Sequence, residues 1–177
     1  LLQAVGVPAG VVQNIADKGM AVLNATDPIV ASMAAHCHGA VTFFAMDRNH
    51  PVMATHLAQG RRAIYVENGH LVAAEGAVQH KVALADVPLT LQGTIGFQVE
   101  NVMAAVGAVW GLGLDWALVR QGLASFVNDS DNAQGRFNLF HYRGATVIAD
   151  YGHNPDAMLA LVRAVEAMPA KRRSVVI

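Results

Sequence analysis

The stretch of sequence that decides the fold runs from residue 145 to residue 168 and reads ATVIADYGHNPDAMLALVRAVEAM. It starts with an apolar, β-branched run that is typical of a strand and ends at Asp150. A turn follows, and a helix is predicted to open at Asn154. This order indicates an α/β protein, a class in which ligands gather at the carboxyl ends of strands. The polar residues of the turn are therefore candidate site residues, namely Asp150, Tyr151, His153 and Asn154.

Capping alone explains part of this turn. Asn154 suits the N-cap of the helix, Pro155 suits the first helical position, and Asp156 suits the positive end of the helix dipole. An unaided phosphate site at this helix start is disfavoured, because Asp156 would repel the anion by roughly 0.3–1 kcal/mol. Capping requires neither Asp150 nor His153, so these two residues are candidates for function.

Four segments resemble, in the same order along the chain, the sequence signatures of the Mur ligases. Residues 150–155 (DYGHNP) resemble the DYAHNP that opens the family's C-terminal domain, and residues 23–28 (LNATDP) resemble its LNADDP. Residues 97–105 (FQVENVMAA) resemble its F-N-x-x-N-x-x-A-A helix, and residues 135–137 (GRF) resemble its G-R-x segment. Within this superfamily the sequence is most similar to the Mur-ligase-like C-terminal half of cyanophycin synthetases, through residues 85–90, 96–101, 135–140 and 150–155.

The resemblance implies an α/β fold in two parts. Residues 1–134 would be the rear part of a Mur ligase central ATPase domain, and residues 135–177 the start of a Rossmann-like C-terminal ligase domain, truncated here. A composition break at residues 128–135, polar throughout and poor in helix formers, supports a boundary at that place.

The implied activity is that of an ATP-dependent amino-acid ligase working through an acyl phosphate. As in cyanophycin synthetases, it would add arginine to the aspartate β-carboxyl of a poly-aspartate backbone. The resemblance implies ATP and magnesium as cofactors, arginine and the poly-aspartate or cyanophycin chain as partners, and a homo-oligomer in the intact protein. Two alternatives stay open: a cell-wall ligase that acts on peptidoglycan precursors, and a non-catalytic nucleotide-binding or assembly module.

The resemblance also implies roles for individual residues. Arg136 would steady the ATP phosphates, Asp150 would bind the ribose, and the amides of Gln98 and Asn101, three apart on one helical face, could reach the same purine edge. The alternatives are a surface ion pair for Arg136, a turn carboxylate for Asp150 and helix-start polarity for the two amides. In all, two residues are expected to be catalytic (Arg136, His153) and five to bind the nucleotide (Asp150, Asn101, Gln98, Tyr151, Asn154).

A phosphate-binding Walker loop is not found in the sequence. That loop needs Gly-x-x-x-x-Gly-Lys followed by Ser or Thr, and none of Lys18, Lys81 and Lys171 has this context. The chain starts at Leu1 rather than Met, and its last residues, 174–177, form an apolar run that should continue as a strand. We therefore expect a fragment, with the loop and the magnesium ligands upstream and no ATP turnover by the fragment alone.

Composition excludes several other classes of protein. The formal net charge is −1 and no long basic run is present, so a nucleic-acid partner is not expected. The stretch 28–46 carries no Asp, Glu, Lys or Arg, yet it reads as a helix followed by a strand rather than as a membrane span. A lone Cys37 excludes an internal disulfide and suits the cytoplasm. The neighbours His36, Cys37 and His38 lack the spacing of metal ligands, so no metal is expected on this chain.

Hydrophobic periodicity predicts the remaining elements. Strands are expected at residues 20–23, 41–46, 63–67 and 71–75, with Asn68-Gly69 as a tight hairpin turn. Helices are expected at 28–35, 51–58, 99–112 and 116–126, and a second hairpin should turn at Arg143-Gly144 before the helix from Pro155.

Overall fold

The computed structural model describes residues 10–129 and 131–176. Within that part of the chain the elements follow in this order: α1 Gly10–Gln13, β1 Met20–Asn24, α2 Pro28–Ser32, β2 Ala40–Ala45, α3 Pro51–Ala58, β3 Ala63–Glu67, β4 His70–Glu75, β5 Val78–Ala83, α4 Gly96–Gly111, α5 Trp116–Ser125, β6 Asn138–Tyr142, β7 Ala145–Ala149 and α6 Pro155–Ala167. Short 3-10 turns occupy Met33–His36, Leu84–Asp86 and Pro88–Thr90.

The main sheet has five strands in the spatial order β1-β2-β3-β4-β5. Strands β1, β2 and β3 are parallel, whereas β3, β4 and β5 form an antiparallel meander. The three parallel strands therefore end at the same edge of the sheet.

Both faces of this sheet are covered, which explains why its strands are apolar at consecutive positions. Phe44, Ile64 and Leu71 pack toward α4 on one face. Their chain neighbours Phe43, Tyr65 and Val72 belong to a second buried cluster, together with residues of α2 and α3. Since successive strand side chains alternate between faces, the sheet lies between two layers of helix.

Helix α4 lies close against β1 and runs in the opposite direction. A Cβ atom added to Gly107 would lie only 2.6 Å from Cγ1 of Val22, and one added to Gly111 would lie 3.1 Å from Sδ of Met20. The end of α4 thus covers the start of β1. The first turns of α4 consequently extend past the carboxyl end of β1.

A second, smaller unit starts at residue 137. Its hairpin β6–β7 turns at Arg143-Gly144, which have φ values of 49° and 79°, and α6 comes next. Phe137 and Ala164 of this unit are buried against Ile95, beside Phe97 at the start of α4. This third apolar cluster holds the second unit against α4.

Most predicted elements are confirmed. Strand β3, helix α3 and both hairpin turns lie where the sequence places them. The predicted N-cap role of Asn154 is confirmed, because its side-chain oxygen accepts a hydrogen bond from the backbone N–H of Ala157. The strand that ends at Asp150 belongs to an antiparallel hairpin rather than to the parallel part of the main sheet.

Several bounds were wrong. Helix α4 starts three residues earlier than predicted, because Gln98 and Val99 already donate their N–H groups to Ile95 O. Helix α2 changes to a 3-10 turn after Ser32, whose hydroxyl donates to Ile29 O and so competes with the backbone pattern.

Two further differences concern strands. Strand β5, which is mostly exposed at the edge of the sheet, was not predicted because Gln79 and Lys81 interrupt its apolar residues. The strand expected at the C-terminus is wrong for residues 174–176, which pair with no neighbouring strand among the described residues, and Ile177 lies outside them.

In the described ranges, none of the helices has both the length and the apolar character needed to cross a membrane.

Candidate functional site: a cleft between α4 and the turn before α6

A cleft of about 860 Å³ lies between α4, the segment 126–136 and the turn that precedes α6. Because the first turns of α4 extend past the end of β1, this part of the protein lies toward the edge where the parallel strands end, the usual ligand side of an α/β sheet. All seven residues that the sequence analysis selected line this cleft: Gln98, Asn101, Arg136, Asp150, Tyr151, His153 and Asn154.

One side of the cleft is apolar. It includes Phe97 and Val102 on α4 and Leu123 and Phe126 at the end of α5, and Phe126 keeps 42% of its surface exposed. An apolar wall opposite a few convergent polar groups is the usual composition of a small-molecule site. The cleft therefore suits a ligand with a flat apolar part and a polar part.

The two amides on α4 contact each other. Asn101 Nδ2 donates to Gln98 Oε1 over 3.1 Å. Gln98 is 5% exposed, whereas Asn101 is exposed. The bond uses the oxygen of Gln98 and a nitrogen of Asn101, so Gln98 Nε2 remains as a donor and Asn101 Oδ1 as an acceptor.

Asp150 binds backbone at the start of the second unit. Its Oδ2 atom accepts a hydrogen bond from the N–H of Phe137 at 2.9 Å. The side chain of Asp150 is nevertheless exposed and lines the cleft, so its other oxygen is available to a ligand. Phe137 precedes β6 and Asp150 follows β7, so this bond connects the two ends of the hairpin. It therefore differs from the local turn bond that was the alternative role for Asp150.

His153 and Tyr151 form one side of the turn. His153 Nδ1 lies 3.0 Å from the carbonyl oxygen of Tyr151, and because a carbonyl only accepts, Nδ1 carries the proton. In the neutral ring Nε2 is then the acceptor. The phenol ring of Tyr151 is 71% exposed, with its centroid 5.4 Å from that of the imidazole.

Asn154 has a structural role that limits what else it can do. Its Oδ1 accepts from the N–H of Ala157 at 2.8 Å and caps α6. Its amide nitrogen therefore remains as a donor for a ligand. Asp156 also lines the cleft in the first turn of α6, where its charge opposes an anion at this helix end.

Arg136 has an exposed side chain in the cleft lining and a fixed backbone. Its N–H donates to Ala133 O at 3.2 Å, and its carbonyl accepts from the side-chain amide of Asn128. Within residues 10–129 and 131–176, its guanidinium is in none of the observed ion pairs or hydrogen bonds. The surface ion pair considered as its alternative role is thus not seen there.

Sequence reasoning missed two residues of this region, Asn128 and Asn138. Asn128 was assigned only to the polar break at residues 128–135, and Asn138 only to the motif at residues 135–140. Asn138 is nevertheless 2% exposed and makes three side-chain hydrogen bonds. A possible sequence signal was Asn138 itself, because it begins a strand of otherwise apolar and aromatic residues. In the described part of the chain, no group of three His, Cys, Asp or Glu side chains is placed to hold a metal ion.

Comparison with known proteins shows what this chain is similar to. Residues 135–177 match the model of the Mur ligase, glutamate ligase domain. Over 167 residues the chain is 34% identical to a cyanophycin synthetase of Geminocystis herdmanii, an alignment covering 94% of this chain and 19% of that protein. The chain is Mur-ligase-like.

The Mur-ligase-like chain also shares its fold with a solved structure. MurF from Acinetobacter baumannii superposes with a TM-score of 0.56 at 17% identity, over 91% of this chain and 32% of that one. This likeness confirms the predicted α/β fold. A more distant relative is the UDP-N-acetylmuramate–L-alanine ligase of Aquifex aeolicus, 28% identical over 85% of this chain and 30% of that protein.

The Mur-ligase-like chain spans about a fifth of the length of the cyanophycin synthetases it matches. The segment that matches the ligase-domain model contains Arg136 and the turn 150–154, while Gln98 and Asn101 precede it on α4. One side of the cleft thus lies within the matched segment, and the other side precedes it in the chain.

Proposed function

We propose that this chain forms the nucleotide-binding cleft of an ATP-dependent amide ligase that adds arginine to the aspartate β-carboxyl of a poly-aspartate backbone. The observation that carries the proposal is that all seven residues that the sequence indicates as site residues line one cleft. We propose further that residues 1–134 belong to a central ATPase domain and residues 135–177 to a ligase domain, so that the cleft lies where the two meet.

Gln98 and Asn101 would read the base. Their mutual bond leaves a donor on Gln98 and an acceptor on Asn101. An adenine edge offers the matching pair, an N7 acceptor and an N6 amino donor, whereas guanine offers two acceptors there. Phe126 and Phe97 would cover the apolar faces of the base. This pattern favours ATP over GTP.

Asp150 and Arg136 would hold the rest of the nucleotide. The free oxygen of Asp150 would accept from the ribose hydroxyls, each such charged bond contributing about 1.5–3 kcal/mol. The planar guanidinium of Arg136 can donate hydrogen bonds to two phosphate oxygens at once. His153 Nε2, the acceptor of the ring, would orient the amine or a water near the reacting groups.

The reaction needs position and charge rather than a protein nucleophile. A carboxylate oxygen of the acceptor attacks the γ-phosphorus, the bond to ADP breaks, and an acyl phosphate forms. The arginine amine then attacks the acyl carbon, loses a proton, and inorganic phosphate leaves with the original carboxylate oxygen. A cation at Arg136 would stabilise the negative charge that develops on the transferred group.

The relatives favour this reading over a cell-wall ligase. Identity is 34% over 94% of the chain to a cyanophycin synthetase, against 28% over 85% to a UDP-N-acetylmuramate–L-alanine ligase. The cell-wall reaction uses the same acyl-phosphate chemistry with a different acceptor. The identity of the acceptor therefore distinguishes the two activities.

Isotope transfer in the intact protein tests the proposal. With ¹⁸O in the aspartate β-carboxyls of a poly-aspartate primer, the released phosphate should carry one ¹⁸O atom for each arginine incorporated, and ADP should form in equal amount. A matched reaction with a UDP-linked muramyl peptide and its amino acid should give no product. Turnover with the muramyl acceptor alone would establish the cell-wall alternative, and nucleotide binding without product from either acceptor would establish the non-catalytic one.

A further inference from the structure

The segment that joins the two units is held by the side-chain amides of Asn138, which is buried, and Asn128, which is half-buried. Asn138, at the start of β6, is 2% exposed. Its Oδ1 accepts from the N–H of Gly135 at 2.7 Å, and its Nδ2 donates to the carbonyl of Ala133 at 2.9 Å. The side chain of Asn138 is thus hydrogen-bonded to two backbone positions of the turn that precedes Arg136.

Asn128 approaches the same turn from the end of α5. Its Nδ2 donates to the carbonyl oxygen of Arg136 and, at 3.4 Å, to that of Phe137. Asn128 O in turn lies 3.5 Å from Nδ2 of Asn138. The two asparagines therefore form one connected set of bonds, which we name the amide cage.

The amide cage holds an unusual backbone. Phe137 has a φ of 55°, in the left-handed region that disfavours residues other than glycine. Its N–H is bound by Asp150, and its ring packs edge-on against Phe97 with centroids 5.4 Å apart. Phe137 is buried in the apolar cluster, whereas the preceding residue, Arg136, remains exposed in the cleft lining.

We infer that Asn138 and Asn128 are positioning residues that direct Arg136 into the cleft. The inference rests on the proposed function, because it gives Arg136 a phosphate to bind. Since Arg136 makes no observed side-chain bond within the described ranges, its direction depends on the backbone that the cage holds. The backbone from Ala133 to Asn138 thus holds Arg136 in a fixed position beside the cleft.

Steady-state kinetics of the intact protein test this with Asn138→Ala, Asn138→Asp and Asn128→Ala. Loss of the cage displaces Arg136, and an error of about 1 Å in a catalytic group costs on the order of a hundredfold in rate. We expect Asn138→Ala to lower the turnover number by about that factor while the KM for ATP changes much less. Asn138→Asp keeps the oxygen that Gly135 binds and should restore part of the rate. Asn132→Ala, in the same segment but with its observed side-chain bond within the described ranges going to Asp129, is the matched control.

A double-mutant cycle separates positioning from general destabilisation. If Asn138 acts through Arg136, then Asn138→Ala should cost little further rate in an Arg136→Ala background. Additive losses, or a turnover number unchanged in both asparagine variants, would overturn the inference. Should Asn138→Ala not fold, the same cycle with the half-buried Asn128 gives the answer.

Hydrogen exchange provides a readout that does not depend on the reaction. Asn138→Ala should speed amide exchange at Gly135 and Arg136, and unchanged exchange would overturn the inference even in an active enzyme. If the parent protein were inactive but Asn138→Ala still exchanged faster at these amides, the proposed function would be refuted. The role of the amide cage in fixing this backbone would then still be supported.

Discussion

The Oδ2 atom of Asp150 lies 2.9 Å from the backbone nitrogen of Phe137, so one carboxylate both fixes the backbone beside Arg136 and lines the cleft. A substitution at Asp150 therefore changes two properties at once. The carboxamide of Asn keeps an acceptor for the Phe137 N–H but loses the charge, whereas Ala loses both.

Asp150→Asn should raise the KM for ATP more than the KM for arginine, with the melting temperature close to that of the parent. Asp150→Ala should raise the KM for ATP at least as much and also lower the free energy of unfolding by about 0.5–1.5 kcal/mol, the usual net contribution of one hydrogen bond. Kinetics and thermal melts of both variants check this. Unchanged ATP kinetics in both variants would show that Asp150 does not bind the nucleotide and serves only to fix the backbone of Phe137.

Asn101→Ala tests the base-reading pair. The change removes an acceptor from the cleft and releases the amide of Gln98 from its fixed orientation. We expect the KM for ATP to rise by about threefold to tenfold, since one hydrogen bond contributes about 0.5–1.5 kcal/mol. The preference for ATP over GTP should shrink, and competition assays with the two nucleotides measure it. Gln121→Ala, on an exposed part of α5, is the control and should preserve the preference.

Arg136→Ala should lower the turnover number by about a hundredfold or more, because losing a preorganised charge-stabilising group typically costs about 2.7–4 kcal/mol of barrier. The melting temperature should barely change, because the exposed guanidinium makes no observed bond within the described ranges. Arg136→Lys keeps the charge but cannot make the bidentate hydrogen bonds of a guanidinium, so it should recover little activity. Turnover within a few-fold of the parent in both variants would contradict the role of Arg136.

Local sequence rules were sufficient for the turns and caps of this fold. Asn68-Gly69 and Arg143-Gly144 each place two successive residues at positive φ, and Asn154-Pro155 begins α6. These features depend on one or two neighbouring residues, which is why they can be read from the chain alone. The grouping of Gln98 and Asn101 with the turn 150–154 came from the Mur ligase resemblance, since no local pattern connects such distant segments.

The amide cage could not be predicted because its effect depends on partners that only the fold brings together. Asn128 lies in a polar stretch that sequence rules classify as a loop, and Asn138 begins the mostly exposed strand β6. Burial of Asn138 requires β6 to pair with β7 and Phe137 to pack beside Phe97. Edge strand β5 was missed for a related reason, because its pairing with β4 outweighs the weak strand preference of Gln79 and Lys81.

Two helical glycines offer a matched test of how closely α4 lies on the sheet. Gly107→Ala would place a Cβ 2.6 Å from Val22 Cγ1, and overpacking of this kind typically costs about 1–3 kcal/mol. That cost exceeds the gain of at most about 1 kcal/mol from alanine's helix propensity. In α5, Gly122→Ala meets nothing within 4 Å and should gain stability. Thermal melts should therefore shift in opposite directions, and a stabilised Gly107→Ala would show that α4 packs less tightly than described.

His56 should make stability depend on pH. The ring is 5% exposed on α3, its Nε2 lies 3.1 Å from the carbonyl of Val41, and its centroid lies 4.9 Å from that of Phe43. Burial lowers the pKa of His56 below its ordinary value of 6.5. The unfolded chain therefore binds a proton at a higher pH than the folded protein does. The contribution of the neutral ring is complete above about pH 6.5 and is lost as the pH falls toward the lower folded pKa.

Urea unfolding from about pH 7.5 down to about pH 5 measures this dependence. Replacing the ring by His56→Gln, which keeps a donor for Val41 O but does not titrate, should flatten the fall in unfolding free energy below about pH 6.5. The absolute stability should also drop, because the edge contact with Phe43 is lost. His70→Gln, at an exposed position of β4, is the control and should leave the slope unchanged. Equal slopes in the parent and His56→Gln would mean that His56 is protonated as readily in the folded protein as in the unfolded chain.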